Sequence, residues 1–347
     1  MKTAPQKLAV ILFNLGGPDS PEAVEPFLRN LFSDPAIISL PAVLRLPLAR
    51  LIARKRAPVA RQIYAHLGGA SPILAETQKQ ARALEGALGD TVKAFVAMRC
   101  WHPFSDGAAL AVKSYAPDRI LLLPLYPQYS TTTTGSALKD WTRAARKAGL
   151  SVPTGTLCCY PTLPGFVAGM AARIRAAMAG ADPAIRYRLL LSAHGLPKRV
   201  IQKGDPYQWQ VEQSAAAIVA ALAMPELEAV VCYQSRVGPL AWIGPATDAE
   251  IRRAGADGKG VIVAPIAFVS EHSETLVELD IEYAKLARES GVPDYIRVPT
   301  VSADADFIAA LAALASRAAL GEAVVTCGPG RICPKEFARC GFGASNP

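Results

Sequence analysis

The sequence predicts an α/β fold made of two similar doubly wound, Rossmann-like domains with parallel sheets. Short apolar runs alternate with longer segments of helical periodicity along nearly the whole chain, a pattern typical of βαβ units. The length of 347 residues exceeds what one core of ordinary size organises, so we expect two domains of similar size.

The apolar runs define the predicted elements in order. Strands are predicted over residues 8–14, 94–98, 120–125, 156–160, 189–192, 229–233, 261–268 and 295–298. Apolar residues spaced for one helical face predict helices over 22–31, 137–147, 165–179, 208–223, 274–288 and 304–318. The first domain is predicted over 1–162 and the second over 163–320, with a Cys-rich tail over 321–347. The last predicted helix is expected to pack back on the first domain.

Composition excludes several classes of protein. The 51% hydrophobic and 19% charged content and the mean hydropathy of +0.21 exclude a disordered or fibrous chain. We expect no membrane span, because apolar runs of 18 residues are absent. The first apolar run, 8–13, is too short for a signal-peptide core. We therefore expect a cytoplasmic chain whose seven cysteines are reduced or metal-bound rather than paired as disulfides.

The net charge of +8 indicates an anionic ligand or surface. Arginines and one lysine lie among leucines in the region 43–61. One interpretation is an amphipathic surface helix with solvated arginines. The other is a basic, apolar rim that contacts anionic lipid or an apolar ligand with carboxylates. Nucleic acid is not expected as a partner, because basic motifs with interleaved aromatic residues are absent.

His194 follows the predicted strand 189–192 in the segment SAHGLP. Ligand sites in open α/β sheets lie outside the carboxyl ends of the strands. An imidazole there can accept a proton near neutral pH or bind a transition metal. A satisfied core histidine is the alternative for His194 taken alone.

A row of acids follows the strand at 261–268. Glu274, Glu278 and Glu282 fall at i, i+4 and i+8 of the helix predicted over 274–288, which places them on one face. The helix dipole accounts for Glu274, but like charges four residues apart destabilise a helix by roughly 0.2–0.5 kcal/mol per pair. A function in holding cations or relaying protons would account for a row of acids that destabilises its own helix. The alternative is that the three acids lie on a solvated helix face. With His194 at a nearby strand end, the row predicts an acid-and-imidazole cleft.

Other polar turns bring aromatic and basic side chains to the ends of apolar runs. Together these suit a flat apolar ligand that carries acids, although ordinary loops with packed aromatic residues are the alternative. The residues are Tyr64, Trp101, Tyr126, Tyr129, Trp242, Arg99 and Arg236. Dinucleotide and P-loop motifs are absent from the sequence.

Seven segments, in this order, resemble the ferrochelatase family over nearly the whole chain. They are NLGGP, YAHLGGASPI, YPQYSTTTTGS, SAHGLP, KGDPY, YQSRVGPLAWIGP and SEHSETLVELDIEY. The resemblance implies a chelatase-like fold with its active-site cleft between the two domains. It also implies a lyase that inserts Fe²⁺ into protoporphyrin IX to form protohaem, the final step of haem biosynthesis. A chelatase that inserts cobalt or nickel into another tetrapyrrole and a non-catalytic haem or metal carrier are the alternatives.

The resemblance also assigns roles to residues. It implies that His194 and Glu274 are catalytic, that Fe²⁺ is held by His194, Glu274 and Glu278, and that Glu282 extends the metal route. The porphyrin-binding residues that it implies are Leu15, Arg56, Tyr64, Arg99, Ser130 and Trp242. Residues 37–58 resemble the apolar lip of the family, which implies peripheral contact with the inner membrane face. Which of His194 and Glu274 takes the protons, the porphyrin substituents and the oligomeric state stay open.

Three cysteines, Cys327, Cys333 and Cys340, lie close together in the tail and suggest a metal or cluster site. Their spacing matches neither standard zinc nor ferredoxin patterns. Some members of the family hold a [2Fe-2S] cluster with C-terminal cysteines and one distant cysteine, so the resemblance implies such a cluster. Certain relatives supply the distant cysteine where this chain has Thr131, so Cys158 or its neighbour Cys159 would take that place. Adjacent strand residues face opposite sides, and we favour Cys158.

Overall fold

The structure is a computed structural model that describes residues 7–236, 238 and 240–343. Two compact units make up the chain. Unit 1 contains the described residues within 1–159, 311–332 and 341–347, and unit 2 contains those within 160–310 and 333–340.

Unit 1 is organised around a parallel sheet with strand order β2-β1-β3-β4-β9. All seven residues of β1 are buried, as expected for a central strand covered on both faces. The elements are β1 (Leu8–Asn14), α1 (Val24–Ser33), α2 (Ala42–Ala65), α3 (Ile73–Leu88), β2 (Val92–Met98), α4 (Ser105–Tyr115), β3 (Arg119–Pro124), α5 (Thr134–Ala148), β4 (Thr154–Cys159) and β9 (Val324–Thr326).

Unit 2 has a second parallel sheet, with strand order β6-β5-β7-β8. Its elements are α6 (Pro164–Ala179), β5 (Tyr187–His194), α7 (Lys198–Gln202), α8 (Tyr207–Leu222), β6 (Glu228–Gln234), α9 (Thr247–Ala256), β7 (Gly260–Pro265), α10 (Ser273–Leu276), a π-helix (Glu278–Tyr283), α11 (Ala284–Glu289) and β8 (Tyr295–Arg297). A last helix, α12 (Ala305–Ala319), begins in unit 2 and belongs to unit 1 from Leu311 onward.

The register of unit 2 positions the candidate site. β5 lies between β6 and β7, and its last residue, His194, pairs with Gln234 at the end of β6. Ser192 pairs with Pro265 at the end of β7, so the loop that follows β7 leaves the sheet beside His194. Parallel strands bring their carboxyl ends to one edge, and that edge receives the segment SEHSE.

The fold prediction is confirmed: both units contain parallel α/β sheets, and each predicted strand is present. β9 was not predicted, because three residues give too short an apolar run. The prediction of one helix over 274–288 is wrong. The chain there forms α10, then a π-helix, then α11, and Glu282 donates its backbone N–H five residues back, to Val277. Among the described residues, none of the helices is long and apolar enough to cross a membrane.

Candidate active site

His194 ends β5 with its ring orientation fixed. Its Nδ1 lies 2.6 Å from the carbonyl oxygen of Gly195, and a carbonyl only accepts, so Nδ1 carries the proton. The Tyr207 hydroxyl donates to the carbonyl oxygen of His194 at 3.0 Å, which holds the backbone. The side chain is 36% exposed. In the neutral ring, Nε2 is therefore the proton acceptor, and it is accessible.

Gly195 allows the chain to turn tightly after His194. Its N–H donates to the carbonyl oxygen of Gln234 at 2.8 Å. A Cβ atom at this position would lie 2.9 Å from that same oxygen and 3.4 Å from Cε3 of Trp242. A residue without a Cβ is required for this approach, and the same contact places the Trp242 indole next to the His194 turn.

Glu274 lies between two imidazoles. Its Oε1 is 3.6 Å from Nε2 of His194, and its Oε2 is 3.6 Å from Nε2 of His272. Burial alone would raise the pKa of Glu274, but the charge of His194 and the hydrogen bond and charge of His272 outweigh it and lower the pKa to about 2. Glu274 is thus a carboxylate throughout the neutral range.

His272 is a site residue that the sequence reasoning missed. Its Nδ1 lies 3.1 Å from the carbonyl oxygen of Ser270, and its ring packs on Phe268 with centroids 4.6 Å apart. The backbone N–H of His272 donates to the Thr275 hydroxyl, which fixes the start of α10. The available signal was its position two residues before Glu274 in SEHSE.

Glu278 is held by donors from three directions. It accepts hydrogen bonds from Gln234 Nε2 at 3.1 Å, from the Ser235 N–H and hydroxyl at 2.8 and 2.5 Å, and from the Tyr283 hydroxyl at 3.0 Å. Burial and the nearby charge of Glu274 nevertheless raise the pKa of Glu278 above its ordinary value. Two carboxyl groups with pKa values shifted in opposite directions form an arrangement suited to divided acid–base roles.

The structure brings Glu274 and Glu278 together but changes the predicted row. The Gln234 amide donates both to the backbone carbonyl of Glu274 and to the Glu278 carboxylate. Glu282 is exposed on the π-helix. Because a π-turn has a different angular spacing from an α-turn, the i, i+4, i+8 face expected for the three acids is not formed.

Three of the predicted porphyrin-binding residues lie around one apolar region of unit 1. Tyr64 is buried there on α2, and Leu15 packs against the same cluster of residues. The Arg56 guanidinium lies 5.9 Å from the centroid of the Phe32 ring, which also packs on this cluster.

The other two predicted porphyrin-binding residues of unit 1, Arg99 and Ser130, have polar surroundings. Arg99 forms an ion pair with buried Asp34 at 2.9 Å and donates to Ser136 at 2.8 Å, so it ties the end of α1 to α5. Ser130 is buried, and its hydroxyl lies 2.8 Å from that of Thr132 in the turn before α5.

The cysteines are mostly buried, and none of the seven forms a disulfide. In unit 1, Cys158 and Cys159 share an apolar cluster with Tyr129, against which the tail residues Ile332 and Phe342 pack. The backbone N–H of Cys327 donates to the carbonyl oxygen of Cys159. In unit 2, the Gln210 amide donates to Sγ of Cys333 at 3.0 Å, and Cys340 is buried. No three His, Cys, Asp or Glu side chains of the described residues are grouped to hold a metal.

Comparison with protein-family models assigns the chain to a family. The family model described as ferrochelatase matches residues 7–319. The chain belongs to the ferrochelatase family. Ferrochelatases of Phenylobacterium zucineum (strain HLK1) and Caulobacter vibrioides (strain NA1000 / CB15N) are 55% and 54% identical over 340 and 342 residues, which cover 96% of this chain and 97% of each relative. That of Rickettsia bellii (strain OSU 85-389) is 42% identical over 343 residues, or 96% of this chain and 95% of that relative.

A solved structure supports the fold assignment of this ferrochelatase-family chain. The sirohydrochlorin chelatase SirB from Bacillus subtilis subspecies spizizenii, in complex with cobalt, matches with a TM-score of 0.52 over 91% of this chain and 97% of its own. Its sequence identity is 12%. The shared feature is the fold, so the chelatase-like architecture expected from the resemblance is confirmed.

Proposed function

We propose that this chain is a lyase that inserts Fe²⁺ into protoporphyrin IX and produces protohaem, the last step of haem biosynthesis. The observation that carries the proposal is Nε2 of His194, 3.6 Å from the Glu274 carboxylate, in a chain of the ferrochelatase family. The reaction takes up one Fe²⁺ and releases two pyrrole protons, so it needs a base and a metal route.

His194 is assigned as the base. Its Nδ1 is committed to the Gly195 carbonyl, so Nε2 takes each pyrrole proton as the N–H bond breaks. The resulting imidazolium is stabilised by the ionised Glu274. Because His194 is partly exposed, it returns the protons to solvent between the two transfers.

Glu274 and Glu278 are assigned to Fe²⁺, the metal substrate. Carboxylate oxygens and neutral imidazole are suitable donors for this ion. Glu274 supplies a permanent negative charge, and Glu278 lies next to it through the shared Gln234 amide. An approaching cation favours the ionised form of Glu278.

The porphyrin is assigned to the residues that the resemblance names. The support in unit 2 is the Trp242 indole beside the His194 turn, where an aromatic face can stack on a macrocycle. The support in unit 1 is the apolar cluster around Tyr64 and Leu15, with Arg56 at its edge. The full set is Leu15, Arg56, Tyr64, Arg99, Ser130 and Trp242.

The test is anaerobic absorbance spectroscopy of the protein with ferrous iron and protoporphyrin. We expect multiple turnovers, seen as conversion of free-base bands to metalloporphyrin bands. Both His194→Ala and Glu274→Gln should lower kcat by roughly 10²-fold or more, the usual contribution of a positioned base. His66→Ala removes an exposed imidazole of unit 1 and should leave turnover unchanged.

Other outcomes of the same assay decide between the alternatives. Turnover with Co²⁺ or Ni²⁺ and a more carboxylated tetrapyrrole, but not with Fe²⁺ and protoporphyrin, would identify a different chelatase. Porphyrin binding without turnover for any of these metals would identify a carrier. Either result would overturn the proposed reaction.

We also propose that Cys158, Cys327, Cys333 and Cys340 bind a [2Fe-2S] cluster. Supporting observations are the packing of the tail beside Cys158 and the N–H···S hydrogen bond to Cys333, a contact that stabilises thiolate sulfur. The described residues contain no group of three His, Cys, Asp or Glu side chains placed to hold a metal ion, so iron content and visible absorption decide the proposal.

Anaerobic purification with iron and sulfide supplied tests the cluster. We expect visible absorption and two irons per chain, both lost in Cys340→Ser and in Cys158→Ser. Cys100→Ala changes a buried cysteine of unit 1 outside this set and should keep the absorption. A colourless wild-type protein would refute the cluster, and loss in Cys159→Ser but not in Cys158→Ser would reassign the fourth ligand.

We further propose that the chain works in the cytoplasm, with α2 in contact with the inner membrane face. Supporting observations are large apolar side chains that α2 leaves exposed among arginines. They are Val43, Leu44, Leu46 and Leu51.

A further inference from the structure

The two carboxylates assigned to Fe²⁺ lie on separate segments of chain. Glu274 is on α10, and Glu278 begins the π-helix, with Val277 between them outside regular α-geometry at φ −112° and ψ −57°. A break between two ligand-bearing segments needs an external support, because the distance between them is not set by a continuous helix.

The short strand β8 provides contacts to both segments. Arg297 donates two hydrogen bonds to the carboxylate of Asp280 in the π-helix, from Nε to Oδ1 at 2.6 Å and from Nη2 to Oδ2 at 2.7 Å. Its remaining nitrogen, Nη1, donates to Glu271 at 2.7 Å, three residues before Glu274. One guanidinium therefore joins the segment of Glu274 to the segment of Glu278.

Tyr295 on β8 and Thr300 just after it hold the same two segments. The Tyr295 hydroxyl donates to the carbonyl oxygen of Leu279 in the π-helix at 2.8 Å. The Thr300 N–H donates to the same Glu271 oxygen that Arg297 binds. The Arg297 side chain is 13% exposed, so its ion pairs are shielded from solvent and keep their directionality.

We propose that Arg297 is a positioning residue that sets the separation of Glu274 and Glu278 for metal delivery. In this role it acts through Glu271 and Asp280 and contacts neither Fe²⁺ nor the porphyrin. The inference rests on the proposed function, because it assigns Fe²⁺ to the Glu274–Glu278 pair. A planar fork is required for the role, since a lysine keeps the charge but binds one carboxylate as a point charge.

The test compares steady-state kinetics of the wild type and Arg297→Lys. Misplacement of a reacting group by about 1 Å costs up to 10²-fold, and we expect the KM for the metal to rise roughly tenfold. The KM for protoporphyrin should stay within about twofold of the wild-type value, because Arg297 contacts none of the residues assigned to the porphyrin. Titration calorimetry with Zn²⁺ alone should show the same loss of affinity without turnover.

The matched control is Arg173→Lys. Arg173 is also partly buried, forms an ion pair with Asp304 at 2.9 Å, and donates to the Val301 carbonyl, but it lies outside the α10 and π-helix segments. It should lower the unfolding temperature without changing either KM. If Arg297→Lys fails to fold, Tyr295→Phe removes the bond to Leu279 at constant shape and should raise the metal KM less.

A double-mutant cycle isolates the positioning role. In a Glu278→Gln background, Arg297→Lys should have no further effect on the metal KM, because the carboxylate that Arg297 positions is already absent. Equal increases of both KM values, or a full additional effect in the Glu278→Gln background, would overturn the proposal. Absence of turnover in the wild type would instead refute the proposed function, and Zn²⁺ binding would still test the positioning role.

Discussion

Glu274 and Glu278 are the same residue type four positions apart, yet their surroundings shift their pKa values in opposite directions. For Glu274, two imidazoles outweigh burial. For Glu278, burial and the charge of Glu274 outweigh four hydrogen bonds. The difference follows from which charged groups face each carboxyl, so it is a property of the folded site and not of residue type.

Gly195 gives a sharp prediction about this site. In Gly195→Ala, the new methyl group would meet the Gln234 carbonyl at 2.9 Å, which must push the His194 turn or the end of β6 away. Overpacking of this kind costs about 1–3 kcal/mol, and kcat should fall at least tenfold because His194 moves. Thermal unfolding and turnover are the measurements.

Gly86→Ala is the matched control. Gly86 lies within α3, and a Cβ there meets nothing within 4 Å. This change should stabilise the protein by roughly 0.5–1 kcal/mol without affecting turnover. Wild-type kcat in Gly195→Ala would show that the close approach at Gly195 does not position His194.

Glu228 gives a prediction about pH and stability. Hydrogen bonds from Arg188 and Lys259 lower the pKa of Glu228 from 4.5 to about 2. Its carboxylate form therefore stabilises the fold above about pH 4.5, and this stabilisation is lost as pH falls to about 2. Glu228→Gln should destabilise unit 2 by about 1 kcal/mol at pH 7, a value reduced for partial exposure, and should flatten the loss between pH 4.5 and 2.

Urea unfolding at several pH values measures this effect. Glu289→Gln is the control, because its pair with Lys285 is 3.8 Å long and well exposed and should contribute nothing measurable. An unchanged pH profile in Glu228→Gln would contradict the role given to the Arg188 pair.

The sequence alone identified some residues of the candidate site and missed others. His194, Glu274 and Glu278 could be named because a strand end and charge spacing are local signals. The role of His272 could not, because it depends on the loop after β7 turning its ring toward Glu274. Arg297 was also missed, since its contacts with Glu271 and Asp280 are set by tertiary packing.

At the scale of elements, strand order explains why distant segments meet at one edge. β5 is central in its sheet, so the ends of β6 and β7 both flank His194. Apolar runs predicted these strands well. They did not predict β9, whose three residues pair with β4 far along the chain, nor the π-helix, because acids at i, i+4 and i+8 fit an α-helix equally well.

The π-helix gives a prediction at this scale. A π-helix accommodates one residue more than an α-turn, and Ile281 within it is exposed. Deletion of Ile281 should convert the segment to α-helix and break the contacts of Tyr283 with Glu278 and of Arg297 with Asp280. We expect a loss of turnover of roughly tenfold or more with an unchanged far-ultraviolet circular dichroism spectrum.

Ile281→Ala controls for the loss of the side chain, because it keeps the chain length. It should retain turnover within about twofold, as is usual for an exposed position. Full activity of the deletion variant would mean that the π-turn is not needed to place Glu278.

At the scale of the whole molecule, family membership and fold agree. The family model spans residues 7–319, and the parallel sheets of both units follow the alternation of apolar runs. Composition and periodicity predicted the fold class because burial patterns repeat along the chain. They could not indicate the substrate, which came from the seven family segments, since a fold alone does not specify chemistry.

The net charge of +8 and the surface of α2 together predict binding to anionic membranes. Val43, Leu44, Leu46 and Leu51 are 46–79% exposed, and basic residues beside them attract anionic lipid at about 1 kcal/mol each. In vesicle sedimentation, Arg50→Glu combined with Arg54→Glu should weaken binding to phosphatidylglycerol vesicles roughly 30-fold. Lys79→Glu with Arg82→Glu, the same charge change on exposed residues of α3, should have much less effect, because a general charge attraction would respond equally to both pairs. Equal weakening by the two pairs, or binding that is as strong to neutral phosphatidylcholine vesicles, would contradict a specific contact through α2.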